Sequence, residues 1–139
     1  MSDDKIDELL TTLGRLFKPH PWHGVAIGDE APETVTAFIE VVQTDTVKYE
    51  IDKATGFLTV DRPQKYSNVC PTLYGLIPQT YCGEQVAGLC AERPFAHGDI
   101  LLQTIPIGGL SMIDGDEADD KIIAGLKNDA FYSDMRDIY

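Results

Sequence analysis

The densest run of chemistry-bearing residues is MIDGDEADDKII at positions 112–123, where five carboxylates and one lysine lie between two apolar runs. Crowded like charge is costly unless water or a cation offsets it. A calcium-binding EF-hand loop is excluded. Counted from Asp114, its fifth, sixth and twelfth positions fall on Ala118, Asp119 and Gly125, where an oxygen ligand, a glycine and a glutamate belong. Two readings stay open. One is a solvated acidic turn. The other is a pair of hard carboxylates, Asp114 and Asp119, that hold Mg²⁺ against a phosphate with Lys121 beside them.

A second constellation lies upstream. Val47–Asp52 alternates cleanly, with Lys48 and Glu50 leaving the same face of a strand about 7 Å apart. Lys53-Ala-Thr-Gly supplies a turn, and Phe57–Arg62 returns as the second strand of a hairpin. A register pairing positions that sum to 110 sets Arg62 opposite Lys48. Facing cations repel unless an anion lies between them. Glu50 can be that anion, in an ordinary cross-strand charge network. Alternatively the pair is a phosphate clamp, with the fork of arginine and the point charge of lysine gripping different oxygens.

The elements that must position these groups are mostly strands. Thr36–Val42 reads as one strand, Asp99–Ile113 as a long strand bent at Pro106 and Gly108-Gly109, and Ile122–Leu126 as another. Ahead of them, residues 3–18 place Ile6, Leu9, Leu10, Leu13, Leu16 and Phe17 on one stripe of a helix. Acids fill its first turn, Arg15 and Lys18 its last, and Pro19 ends it. The pattern predicts a mainly β, α+β chain: a small barrel over residues 20–139 preceded by a helical segment, 1–19. The helix is expected to pack on that domain or on a second subunit. His20-Pro-Trp-His23 could be a metal pair, but two prolines favour a stiff, extended structural entry.

Composition narrows the function. At 139 residues the chain holds one core, and its net charge of −12 opposes nucleic-acid phosphates and anionic lipid. No apolar run approaches membrane-spanning length, and Ser2, Asp3 and Asp4 stand where a signal peptide needs positive charge, so a cytoplasmic protein is expected. Cys70, Cys82 and Cys90 lack C-x-x-C spacing and are expected to be reduced, buried small hydrophobes.

Several segments together resemble soluble family I inorganic pyrophosphatases, in a divergent bacterial branch. They are Phe38-Ile-Glu, Val47-Lys-Tyr-Glu-Ile-Asp-Lys-Ala-Thr-Gly, Val60-Asp-Arg, Leu73-Tyr-Gly-Leu-Ile-Pro and Ile107–Ala124. Their order and spacing cover roughly residues 20–139. The resemblance implies a five-stranded OB-like barrel and a homo-oligomer that hydrolyses pyrophosphate with Mg²⁺, or Mn²⁺ as substitute. It implies Asp114 and Asp119 as metal ligands, Lys48, Arg62 and Lys121 as substrate contacts, and Glu40, Glu50 and Tyr74 as catalytic residues. Tyr74 would join the phosphate clamp, while Glu40 and Glu50 line the pocket and order water. The mechanism implied is displacement at phosphorus by metal-activated water.

The departures are specific. The family's Asp-Gly-Asp-Pro-x-Asp segment belongs between Tyr81 and Asp99, and Cys82–Gly98 replaces it with only Glu84 and Glu92 as acids. The sequence ends at Tyr139, ahead of the position of the family's C-terminal Tyr-Lys pair. Loss of a barrel strand and slowed hydrolysis are therefore expected. The competing reading is a non-catalytic barrel that binds metal or phosphate or serves in an assembly. An oligonucleotide-binding barrel ranks last, because it would want a basic, aromatic groove.

Overall fold

The first fourteen helical residues stand apart from the rest. The computed structural model describes residues 2–63, 69–80, 85–132 and 134–137. In it, α1 spans Asp3–Leu16, with Asp3 and Asp4 in the first turn and Arg15 in the last, as the helix dipole favours. The helix stops short of the expected Lys18 because Phe17 is already extended, though its N–H still reaches the Leu13 carbonyl. No residue of α1 is buried. The apolar stripe from Ile6 to Phe17 is at least 40% exposed at every large side chain, so packing against the domain is not what this face does. An exposed ion pair from Lys18 to Asp99, 2.6 Å, ties the root of the helix to the barrel.

The His20–His23 entry is a turn and not the extended segment expected. His20 explains it: its Nδ1 accepts hydrogen bonds from the backbone N–H groups of Trp22 and His23, at 3.0 and 3.1 Å. With that nitrogen occupied, the ring serves as a cap, and the structural reading of this motif stands.

Five strands close into a barrel. They are β1 (Val35–Val41), β4 (Leu73–Leu76), β5 (Gln85–Cys90), β9 (Lys121–Leu126) and β6 (Ile100–Leu110), in that spatial order. All neighbours are antiparallel except β5 and β9. The expected loss of a strand is corrected here, since β5 arises from the very segment that replaces the aspartate-rich one. Closure leaves the barrel sheet itself without an open edge. Inside lie Val35, Ala37, Ile39, Val42, Leu73, Ile77, Leu89 and Ala124. The bend expected in β6 appears as a register shift between Pro106 and Gly108, where proline cannot donate to the ladder.

Two small hairpins complete the fold. In the first, β2 (Val47–Ile51) pairs with β3 (Leu58–Pro63) as a separate two-stranded sheet. Its turn is held by Asp52, whose carboxylate accepts from the Ala54 N–H and the Thr55 hydroxyl, and Gly56 adopts a φ of +81°. The hairpin covers the outer face of β1 through Phe38, Ile51 and Leu76, joined by Trp22 and Leu58. That cover explains why all seven residues of β1 are buried, where a half-exposed strand would alternate. The acidic stretch folds into the second hairpin, β7 (Ile113–Asp114) with β8 (Glu117–Ala118), turning at Gly115 with φ +63°. Cys70 and Cys90 are half-buried, which corrects the expectation of buried thiols; Cys82 lies outside the described residues.

Candidate active site

The anticipated register, positions summing to 110, holds only at the open end of the hairpin, where Val47 faces Pro63 and Lys48 faces Arg62. One step further the pairing shifts, to Tyr49 opposite Val60, so Asp61 is an extra, bulged residue on β3. A bulge re-aims side chains. Here it brings the Asp61 carboxylate to 3.2 Å from Lys48 Nζ, with both groups about one third exposed or less. The partner anion expected for Lys48 was Glu50. In the anticipated register alternation puts Asp61 on the face away from Lys48; the shift observed between Lys48 and Tyr49 removes that separation.

These groups form one wall of an open cleft of about 580 Å³. Lys48, Glu50, Asp61 and Arg62 come from the hairpin; Tyr74 from β4; Lys121 from β9; Asp114 and Asp119 from the acidic hairpin and the link that follows it; and Val41 and Cys70 complete the lining. Seven of the eight anticipated site residues thus converge. Glu40, on β1, does not line the cleft. Asp61, Val41 and Cys70 are additions that sequence reasoning missed; Asp61 stood within the quoted Val-Asp-Arg segment, while the other two gave no chemical signal.

Lys121 and Asp119 form a tight ion pair, and the Lys121 ammonium lies 5.9 Å from the centre of the Tyr74 ring. Tyr74 is shielded from water and faces Glu40, Asp119 and Glu50, so its hydroxyl is held above its ordinary range and stays protonated. It is therefore available as a donor to an anion. The cleft carries four carboxylates, Glu50, Asp61, Asp114 and Asp119, against three cations, Lys48, Arg62 and Lys121. An anion as charged as pyrophosphate meets a slightly negative site unless a cation accompanies it. Among the described residues no three His, Cys, Asp or Glu side chains cluster as a metal cage. Glu92 is exposed and does not line the cleft, and Glu84 lies outside the described residues.

Residues 37–139 match the inorganic pyrophosphatase family. The chain belongs to that family. An inorganic pyrophosphatase of Chlamydia caviae is 48% identical over 140 residues, covering 86% of this chain and 65% of the relative. One from Chlamydia trachomatis is 45% identical with 86% and 67% covered. A crystal structure of the Thermus thermophilus inorganic pyrophosphatase superposes with a TM-score of 0.76 at 28% identity, over 85% of this chain and 69% of that one. The chain thus spans slightly less than two thirds of the C. caviae family member. The 140 matched positions exceed the roughly 120 residues that 86% of a 139-residue chain represents, so about 20 positions of that match have no counterpart here. Among the described residues, no helix is long and apolar enough to cross a membrane.

Proposed function

We propose that the cleft binds pyrophosphate together with a divalent cation, Mg²⁺ or Mn²⁺, and hydrolyses it slowly to two orthophosphates in the cytoplasm, the chain working as a homo-oligomer. The observation that carries this reading is the convergence of Lys48, Arg62, Tyr74 and Lys121 with Asp114 and Asp119 around one cleft in a pyrophosphatase-family barrel. The donor set suits the ion. Mg²⁺ keeps several waters and is commonly held by one or two carboxylates plus substrate phosphates, which suits a cleft whose described residues form no cluster of three ligands. Asp114 and Asp119 would hold it. When bound, the ion supplies charge neutralisation for the phosphates and polarises water.

The chain's own groups do the rest. Arg62 and Lys48 grip one phosphate from adjacent strands, and Asp61 steadies Lys48 by the 3.2 Å contact. Lys121, aligned by Asp119, and the protonated Tyr74 donate to oxygens on the opposite side. Glu50, exposed at the rim, is the carboxylate best placed to take a proton from attacking water. Losing a dedicated general base costs about 10²–10⁴ in rate. Without the aspartate-rich segment, the chain is expected to release orthophosphate at least about 10²-fold more slowly than a relative that has it.

The test is orthophosphate release from pyrophosphate with excess Mg²⁺, for the chain as it stands and for a variant with Asp-Gly-Asp-Pro-x-Asp restored. Recovery in the restored variant supports the reading. Failure of both to bind pyrophosphate in calorimetry sinks it. Binding with no turnover in either would establish the second reading, a pyrophosphate-binding barrel without catalysis, which the replacement of the aspartate-rich segment by Cys82–Gly98 favours.

A further inference from the structure

Glu40 has a position that its expected place in the pocket does not explain. It is the sole acid in a fully buried strand, 3% exposed, and it stands behind the cleft wall. A buried carboxylate is costly to desolvate unless it is hydrogen-bonded, so a partner is required. Its Oε2 accepts a 2.7 Å hydrogen bond from the backbone N–H of Ile51. Ile51 ends β2, and its neighbour Asp52 already donates to the Phe57 carbonyl across the hairpin, so the Ile51 N–H faces the barrel.

We propose that Glu40 is a positioning residue, whose carboxylate fixes the β2–β3 hairpin, and with it Lys48 and Arg62, over the barrel by holding the Ile51 N–H. The hairpin needs such a tie because it forms its own two-stranded sheet and shares no ladder with the barrel. The apolar contacts of Phe38, Ile51 and Leu76 hold it down but are non-directional. One directional bond sets how far β2 reaches along β1, and hence where the cations sit over the cleft. Glu40 thus acts through Ile51 and not at the reacting atoms.

The same burial makes the tie titratable. Desolvation pushes the carboxyl up to about 7, against the lowering effect of the Ile51 bond. The charged groups facing it are Lys48 and Glu50 on β2, Lys53 in the turn and Tyr74 on β4. As Glu40 ionises, the Ile51 bond becomes charge-assisted and shortens. The Ile51 amide should report this directly.

This inference rests on the cleft reading above only for its consequence in binding, and the experiment separates the two. The amide resonance of Ile51 is followed from pH 5 to 9 in the wild type and in Glu40→Gln, which keeps the volume and one acceptor. Affinity for imidodiphosphate with Mg²⁺ is measured in both and in Glu40→Leu, which has no acceptor. Expected are an Ile51 shift with a midpoint near 7 that vanishes in Glu40→Gln, affinity within about twofold in Glu40→Gln, and a loss of about tenfold or more in Glu40→Leu. An Ile51 shift unchanged in Glu40→Gln overturns the proposal. So does Glu40→Gln that binds normally yet loses turnover, which would place Glu40 at the reacting atoms. If the wild type does not bind imidodiphosphate, the cleft reading fails, and the Ile51 titration alone decides the role of Glu40.

Discussion

Substituting Gly75 with alanine should cost the barrel a large share of its stability, and the structure sets the scale. Gly75 lies opposite Ile39 where β4 meets β1, and an added Cβ would stand 1.9 Å from the Phe38 carbonyl oxygen and 3.0 Å from Ile39 Cα. Real Cβ contacts essentially never fall below 3.0 Å, so the two strands must part by more than 1 Å. A movement of that size takes the flanking ladder bonds beyond bonding distance. Two such bonds contribute about 0.5–1.5 kcal/mol each, and forcing extra volume into a packed core costs about 1–3 kcal/mol. The expected loss is therefore roughly 2–6 kcal/mol, against about 5–15 kcal/mol for a whole domain. Urea unfolding followed by Trp22, the sole tryptophan, measures it, since Trp22 packs on the Phe38–Ile51–Leu76 cluster. Gly14→Ala is the control. Its Cβ meets nothing within 4 Å, so it should raise helix content by circular dichroism and leave the barrel midpoint unmoved. A Gly75→Ala loss below about 1 kcal/mol would refute the reasoning, because the strands would then have yielded without breaking their pairing.

Two further outcomes are expected. Asp114→Ala with Asp119→Ala should abolish the heat of Mn²⁺ binding in titration calorimetry, and equal heats from wild type and double variant would remove these residues as ligands. Asp129 accepts the backbone N–H groups of Glu92, Phe131 and Tyr132, which hold its carboxyl below the ordinary range. Its contribution is present above about pH 4 and lost as pH falls through the lowered value, so Asp129→Asn should be less stable at pH 7 and converge with wild type in acid.

The legible parts of the molecule were those set by local rules. Alternation and the Gly56 turn placed the hairpin, because both depend only on neighbours in the chain, whereas Lys48 meets Arg62 only through the register shift at Asp61. The Asp61 bulge was not legible, since a bulge is a choice made by packing between strands. Barrel closure through β5 was hidden for a related reason: Gln85–Cys90 has no strict alternation, and only its pairing with β4 and β9 makes it a strand. The helix was plain from its 3.6-residue stripe, yet nothing in that stripe tells which surface it meets. Glu40 came from resemblance, which conveys that a residue matters but not through which atom. Its bond to Ile51 depends on how two separate sheets stack, and no pattern in one dimension contains that.

The two sheets also differ in how far apart along the chain their partners lie. Lys48 meets Arg62 across a short loop, an event of microseconds for an isolated hairpin. Closing the barrel requires Val35 to find Thr104, and β5 to find β9 in parallel, at loop-closure costs repaid only once several strands are in place. The cleft draws its opposing cations from both classes of contact. During synthesis, then, the hairpin can form while β9 is still being made, but Lys121 has no wall to stand on until the final strand arrives. Anion binding in this cleft therefore cannot precede barrel closure, however early the hairpin forms.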